Sequence, residues 1–230
     1  MTPPSPPSPR TPADAIVLAD GDPVDAATVG QLPTRAVVIA ADGGLRLAGP
    51  LGLRTDLVVG DFDSVDPDLL AAAEADGTVV ERHPVAKDRT DLALALDAAV
   101  GAGVQRITVV GGAGGRADHL LANWLLLAAD DYAGCQVRSW SAAARTDVLR
   151  PGRTAELAGP VGALISLLPA HGPAREVRTS GLVFPLDGED LPPGTSRGVS
   201  NRFAAPHATV TLAAGVLLAV RPLTHTELPS

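Results

Sequence analysis

A chain of 230 residues is long enough for one large domain or two small ones, and 46% hydrophobic residues supply a core for either. Its formal net charge of -8, with no Lys/Arg-rich run to offset it locally, excludes nucleic-acid binding driven by electrostatics. Its single cysteine, Cys135, cannot close an intrachain disulfide, and its longest apolar stretch, 208–220, is broken by Thr209, Thr211 and Gly215 and is too short to span a bilayer, so it reads as a buried strand or hairpin.

Residues 1–12 are mostly Pro and Ser, which continue neither a helix nor a central strand and have little to bury, so they are expected to stand outside the fold. The same start lacks the apolar core of a signal peptide, which leads to the expectation of a cytoplasmic protein with no membrane partner. From residue 13 to 147, β-rich runs at 15–18, 36–39, 57–59, 77–80, 106–110 and 136–140 alternate with Ala/Leu-rich segments of helical length. The runs are continuously apolar, as in strands buried on both faces. The expected fold is therefore α/β: a mostly parallel sheet with helices on both faces and ligands at the C-terminal ends of its strands.

Four polar clusters follow such strand ends. Asp42-Gly43-Gly44 is an acid–glycine turn in which glycine permits close approach of a ligand and Asp42 can take a hydroxyl or water. In Gly60-Asp61-Phe62-Asp63-Ser64 the two carboxylates are at alternate positions. If strand geometry persists through Asp63 they share one side and favour a hard divalent cation; the plainer reading is a turn. Lys87-Asp88-Arg89-Thr90-Asp91 leads into an apolar helical run from Leu92 to Val100. Asp88 can be the helix N-cap with Asp91 in the first turn, or Lys87 and Arg89 can meet phosphate oxygens while Asp91 joins Asp61 and Asp63 around magnesium. Gly111-Gly112-Ala113-Gly114-Gly115-Arg116-Ala117-Asp118-His119 puts backbone N–H groups, a guanidinium and a helix start in one place, which suits an anion, although Asp118 can be a plain cap and His119 a plain surface residue. No Gly-Lys-Ser/Thr follows, so this is not a P-loop.

After about residue 145 helix signals give way to short β-rich runs punctuated by Pro151-Gly152, Gly159-Pro160, Gly172-Pro173 and Pro192-Pro193-Gly194. Residues 148–230 are expected to form an all-β, sandwich-like unit.

Taken in order, Ala41-Asp42-Gly43-Gly44, Gly60 to Ser64, Lys87 to Asp91, Gly111 to His119 with Asn123, and Ser200-Asn201 resemble the motif series of thiamine pyrophosphokinases. The resemblance implies an N-terminal nucleotide-binding domain (13–147), a C-terminal thiamine-binding β-sandwich (148–230), and a homodimer with its sites at the subunit interface. It also implies transfer of pyrophosphate from ATP to thiamine, with Mg2+ held by Asp61, Asp63 and Asp91 and with Arg116 beside them in the catalytic set. Asp42, Gly43, Gly44, Ser64, Lys87, Asp88, Thr90, Gly111, Gly112, Gly114, Gly115, Arg116, Asp118, His119 and Asn123 would line the nucleotide site. Thr179, Phe184, Ser200 and Asn201 would line the thiamine site, with Phe184 as an aromatic wall for the cationic thiazolium. Three other readings compete: a pyrophosphokinase for another alcohol such as a hydroxymethyl pterin, a phosphatase of the haloacid dehalogenase type, and a nucleotide-binding regulatory module without catalysis. The phosphatase reading lacks its second acidic motif late in the core.

Overall fold

The structure is a computed structural model, described for residues 13–24, 29–30 and 32–223; the expected Pro/Ser tail lies outside the described residues. Six strands, β1 (Asp14–Ala19), β2 (Ala36–Ala41), β3 (Leu57–Gly60), β4 (Val79–Arg82), β5 (Arg106–Gly111) and β6 (Gln136–Trp140), pair in parallel in the order β4-β3-β2-β1-β5-β6. Along β1, Ala15, Val17 and Ala19 enter one core while Ile16 and Leu18 enter another, so both faces of the sheet are covered and no position of the run is left for a polar side chain.

Helix α1 (Pro67–Ala75) starts at Asp66, whose side chain accepts from the Asp68 N–H, with Pro67 in the first turn. Helix α2 (Asp91–Gly101) lays Leu92, Ala95, Leu96 and Ala99 on one face of the sheet, at helical spacing. A 3-10 helix (Asp42–Leu47) and α1 cover the other face through Leu45, Leu47 and Leu70. Helix α3 (Ala117–Leu127) follows β5, and only Leu127 of it is buried.

The chain lays down β1 to β4 in one direction and then returns to place β5 beside β1. That reversal leaves a crevice between the C-terminal ends of β1 and β5, because the loops leaving the two strands turn away from each other.

Beyond β6 the strands are β7 (Ala144–Leu149), β8 (Ala155–Ala158), β9 (Leu164–Ser180), β10 (Asp187–Leu191), β11 (Asn201–Arg202), β12 (His207–Thr211) and β13 (Ala214–Pro222). Their pairings are antiparallel, in the order β6-β7-β13-β9-β12-β8, with β10 and β11 on β9. Ile165, Leu167, Val177, Leu191, Phe203 and Leu217 fill a core of their own. The architecture is thus the expected α/β unit followed by an antiparallel β unit. Residue 148 falls within β7, which bonds β6 on one side and β13 on the other, so hydrogen bonding runs unbroken past that position. Gly172-Pro173, read from the sequence as a turn, lies instead inside β9. The ladder shifts register opposite it, between Ala214 and Val216, and a bulge of this kind tolerates the missing proline N–H. No helix of the described residues is long and apolar enough to cross a membrane.

Candidate active site

The acids at the strand ends converge. Asp42, Asp61 and Asp91 each place a carboxylate oxygen within 4.8 Å of the others. Asp42 opens the 3-10 helix after β2, Asp61 follows β3, and Asp91 opens α2. Strand geometry does not continue through Asp63 as expected: β3 ends at Gly60 and Phe62 is left-handed (φ 61), which turns Asp63 out to an exposed position at the rim. The turn is held by Asp42, whose Oδ1 accepts from the Phe62 N–H at 3.0 Å and whose Oδ2 accepts from the Ser64 hydroxyl. The charge of Asp61, with burial and Asp42 and Asp91 behind it, pushes the Asp63 carboxyl above its ordinary value. Three carboxylates with no nitrogen or sulfur ligand are a donor set for a hard divalent cation, and Asp91 Oδ1 is buried with no well-aligned donor of its own.

Lys87 stands between two of these acids, its ammonium 2.9 Å from Asp61 Oδ2 and 3.0 Å from Asp91 Oδ1. Its hydrogen bond is the main cause holding the Asp61 carboxyl below its ordinary value. Burial works against the charge on Lys87, but the two carboxylates outweigh it and raise the lysine. The neighbouring motif residues divide differently from expectation. Thr90, not Asp88, caps α2, its Oγ1 accepting from the Ala93 N–H at 3.3 Å. Asp88 is exposed, and Arg89 turns away to Asp97 at 2.7 Å and the Tyr132 hydroxyl at 3.2 Å.

Across the crevice, Gly111, Gly112, Gly114 and Gly115 all have positive φ, and α3 begins at Arg116 with no side chain capping its first N–H groups. Free N–H groups of a glycine turn and of a helix start form an anion cradle. Asn123 secures it from α3, donating to the Gly112 carbonyl at 2.9 Å. Asp118 does not cap α3; it binds Arg116 at 2.6 and 3.2 Å, and His119 is exposed on the first turn.

The sequence reading missed a fifth acid–glycine turn, Asp20-Gly21-Asp22, at the end of β1. The Gly112 N–H donates to the Asp20 carbonyl at 3.1 Å, the Asp22 N–H to Ala113, and Arg46 Nε reaches Asp20 Oδ1 at 2.7 Å. Gly43 packs directly on the Asp20 carboxylate and Gly44 on the Leu18 carbonyl, where a Cβ would come to 3.0 and 2.2 Å. The available signal was position, a strand end identical in pattern to the other four.

In the β unit, Asn201 is 2% exposed and clamps the backbone of Phe184: its Oδ1 accepts from the Phe184 N–H at 3.0 Å and its Nδ2 donates to the Phe184 carbonyl at 2.7 Å. Thr179 closes the same loop, accepting from the Leu186 N–H at 2.9 Å. Left-handed Ser200 (φ 56) donates its N–H to Ser166 at 3.0 Å. The clamp leaves Phe184 57% exposed, and its neighbour in sequence, Val183, is exposed as well. Among the described residues no hydrogen bond or ion pair joins this group to the crevice acids. Asp42, Phe62 and Ser200 are three of five left-handed non-glycine residues among those described, and such strain concentrates where geometry serves a ligand. A cavity of about 280 Å³ lies elsewhere, at the start of β5 and β6 beside β8, and no motif residue lines it.

Two family models match the chain: "Thiamin pyrophosphokinase, catalytic domain" over residues 31–138 and "Thiamin pyrophosphokinase, vitamin B1 binding domain" over residues 155–217. The chain belongs to the thiamin pyrophosphokinase family. The catalytic-domain match takes in every crevice motif from Asp42 to Asn123, and the vitamin B1 match takes in Thr179, Phe184, Ser200 and Asn201; the missed turn at Asp20 lies before both. Thiamine pyrophosphokinase of Bacillus subtilis is 28% identical over 162 residues, 70% of this chain and 76% of that protein. The crystal structure of a Bacillus subtilis thiamine pyrophosphokinase superposes with a TM-score of 0.78 at 26% identity, covering 92% of this chain and 99% of the other. The structure from Candida albicans, at 15% identity, shares the fold with a TM-score of 0.72 over 92% of this chain and 90% of its own.

Proposed function

We propose that this protein is a thiamine pyrophosphokinase, transferring the terminal pyrophosphoryl unit of ATP to the hydroxyl of thiamine and releasing AMP. The observation that supports this most is the meeting of Asp42, Asp61 and Asp91 within 4.8 Å, opposite a glycine cradle, in a member of this family. Asp42, Asp61 and Asp91 would hold magnesium, with Asp63 at the rim. Bound there, magnesium supplies positive charge that gathers and orients phosphate oxygens. The Gly114 and Gly115 N–H groups and the open start of α3 take further phosphate oxygens, and Arg116 can meet one by sharing its guanidinium with Asp118. The thiamine oxygen attacks the β-phosphorus as the bond to the oxygen shared with the α-phosphorus breaks, and AMP leaves with that oxygen. Catalysis on this account is positioning and charge neutralisation.

Phe184, fixed by Asn201, offers its face to the thiazolium, a contact worth about 0.5–2 kcal/mol. The same reading makes the protein a homodimer in which the Phe184 loop of one subunit completes the crevice of the other. A cytoplasmic location belongs to the same reading. Replacing Asp61→Asn tests it: thiamine-dependent AMP release should fall by roughly 100-fold or more, with the circular dichroism spectrum unchanged. Turnover within about twofold of wild type, well short of that loss, would remove the carboxylate cluster from the mechanism.

A further inference from the structure

The cations around the crevice are almost all committed to acids. Lys87 serves Asp61 and Asp91, Arg46 serves Asp20, Arg89 serves Asp97 and Asp131, and Arg116 serves Asp118. Arg82 is different. It ends β4 directly opposite Gly60 of β3, where the His83 N–H donates to the Gly60 carbonyl at 2.8 Å and fixes the two strand ends together. Its side chain is exposed, and among the described residues it makes no ion pair or hydrogen bond. It lies over the Phe62 ring, 5.0 Å from the centroid.

A guanidinium resting on an aromatic face keeps its N–H donors in its own plane, free for an anion. Phe62 is the residue between Asp61 and Asp63, and its left-handed backbone is held by the bond from its N–H to Asp42. One turn therefore presents both the carboxylates and the platform for an unspent positive charge. We propose that Arg82 is a polyphosphate-binding residue of the crevice, taking an oxygen of the β- or γ-phosphate of the donor. This rests on the pyrophosphokinase reading above.

The test is calorimetric binding of AMP and of ATP, each with magnesium and without thiamine, to wild type, Arg82→Gln, Arg82→Lys and Phe62→Leu, alongside the wild-type product assay. Arg82→Gln should weaken ATP about tenfold or more while leaving AMP unchanged, because a charge-assisted contact to the outer phosphates is lost and AMP has none. Arg82→Lys should recover part of the loss, and Phe62→Leu should show a smaller loss of the same selectivity. ATP affinity unchanged in Arg82→Gln overturns the proposal. So does an equal loss for AMP and ATP with a lowered melting temperature, which marks a structural role. If wild type makes thiamine diphosphate and Arg82→Gln matches it in ATP binding, Arg82 alone is wrong. If wild type makes none while Arg82→Gln still loses ATP selectively, the pyrophosphokinase reading is wrong and Arg82 stands.

Discussion

Arg116 and Asp118 show how a pair at the mouth of the site holds charge ready. Their contacts of 2.6 and 3.2 Å, with the hydrogen bond from Arg116 as the largest cause, bring the Asp118 carboxyl from 3.8 down to about 2. The folded value is the lower one, so the pair favours the fold above about pH 4 and that contribution is lost as the pH falls through about 2. Both side chains are exposed, so solvent screens the pair and its share of stability is small. Carboxyl 13C NMR should give Asp118 a midpoint near 2, moving up toward 3.8 in Arg116→Gln; a midpoint that ignores the substitution would show that the guanidinium is not the cause. At the same scale, the alternation expected to align Asp61 with Asp63 fails on Phe62. Only the contact of its N–H with Asp42, 20 residues away in sequence, reveals that the turn is left-handed. Asp42 was legible as an acid–glycine turn but not as a member of the carboxylate group, because that membership depends on the packing of β2 beside β3.

The apolar runs at 15–18, 36–39, 57–59 and 106–110 were legible as strands because the sheet covers them on both faces, and 136–140 occurs as β6; the run at 77–80 meets edge strand β4 only at Val79 and Val80, and β4 is mostly exposed. The turn at Asp20-Gly21-Asp22 was not singled out. What makes it part of the site is strand order, which sets β1 beside β5, and order is not written in local residue pattern. The first residues of β9 lie in a β-rich run, but its continuation past residue 170 escaped for another reason: Gly172-Pro173 carries a turn signal, and the bulge that absorbs it depends on pairing with β13. The glycine cradle allows a sharper test of the elements it joins. A Cβ on Gly111 (φ 92) would come to 2.1 Å from the Ala19 carbonyl, whereas one on Gly115 (φ 66) meets nothing within 4 Å. Gly115→Ala should therefore cost about 1–2 kcal/mol, the left-handed penalty alone. Gly111→Ala should cost well over that, since β1 and β5 must also move apart. Urea unfolding midpoints check the order, and equal costs would mean that the close approach of the two strands does not hold in solution.

For the molecule as a whole, the proposed homodimer with shared sites would make assembly part of function. Val161, Val183, Phe184 and Val199 are exposed on the β unit, and Leu121 and Leu125 on α3, apolar surface of the kind a partner covers. Sedimentation equilibrium should give twice the 23.3 kDa chain mass, with monomeric variants inactive. A fully active monomer would refute the shared site.

Pyrophosphoryl transfer moves two phosphorus atoms together, and 31P NMR of one reaction containing protein, magnesium, ATP and thiamine follows both. AMP and thiamine diphosphate should grow in equal amounts, with no thiamine monophosphate and no thiamine-dependent ADP. ADP with thiamine monophosphate would mean attack at the γ-phosphorus, the chemistry of an ordinary kinase, and would rule out pyrophosphoryl transfer.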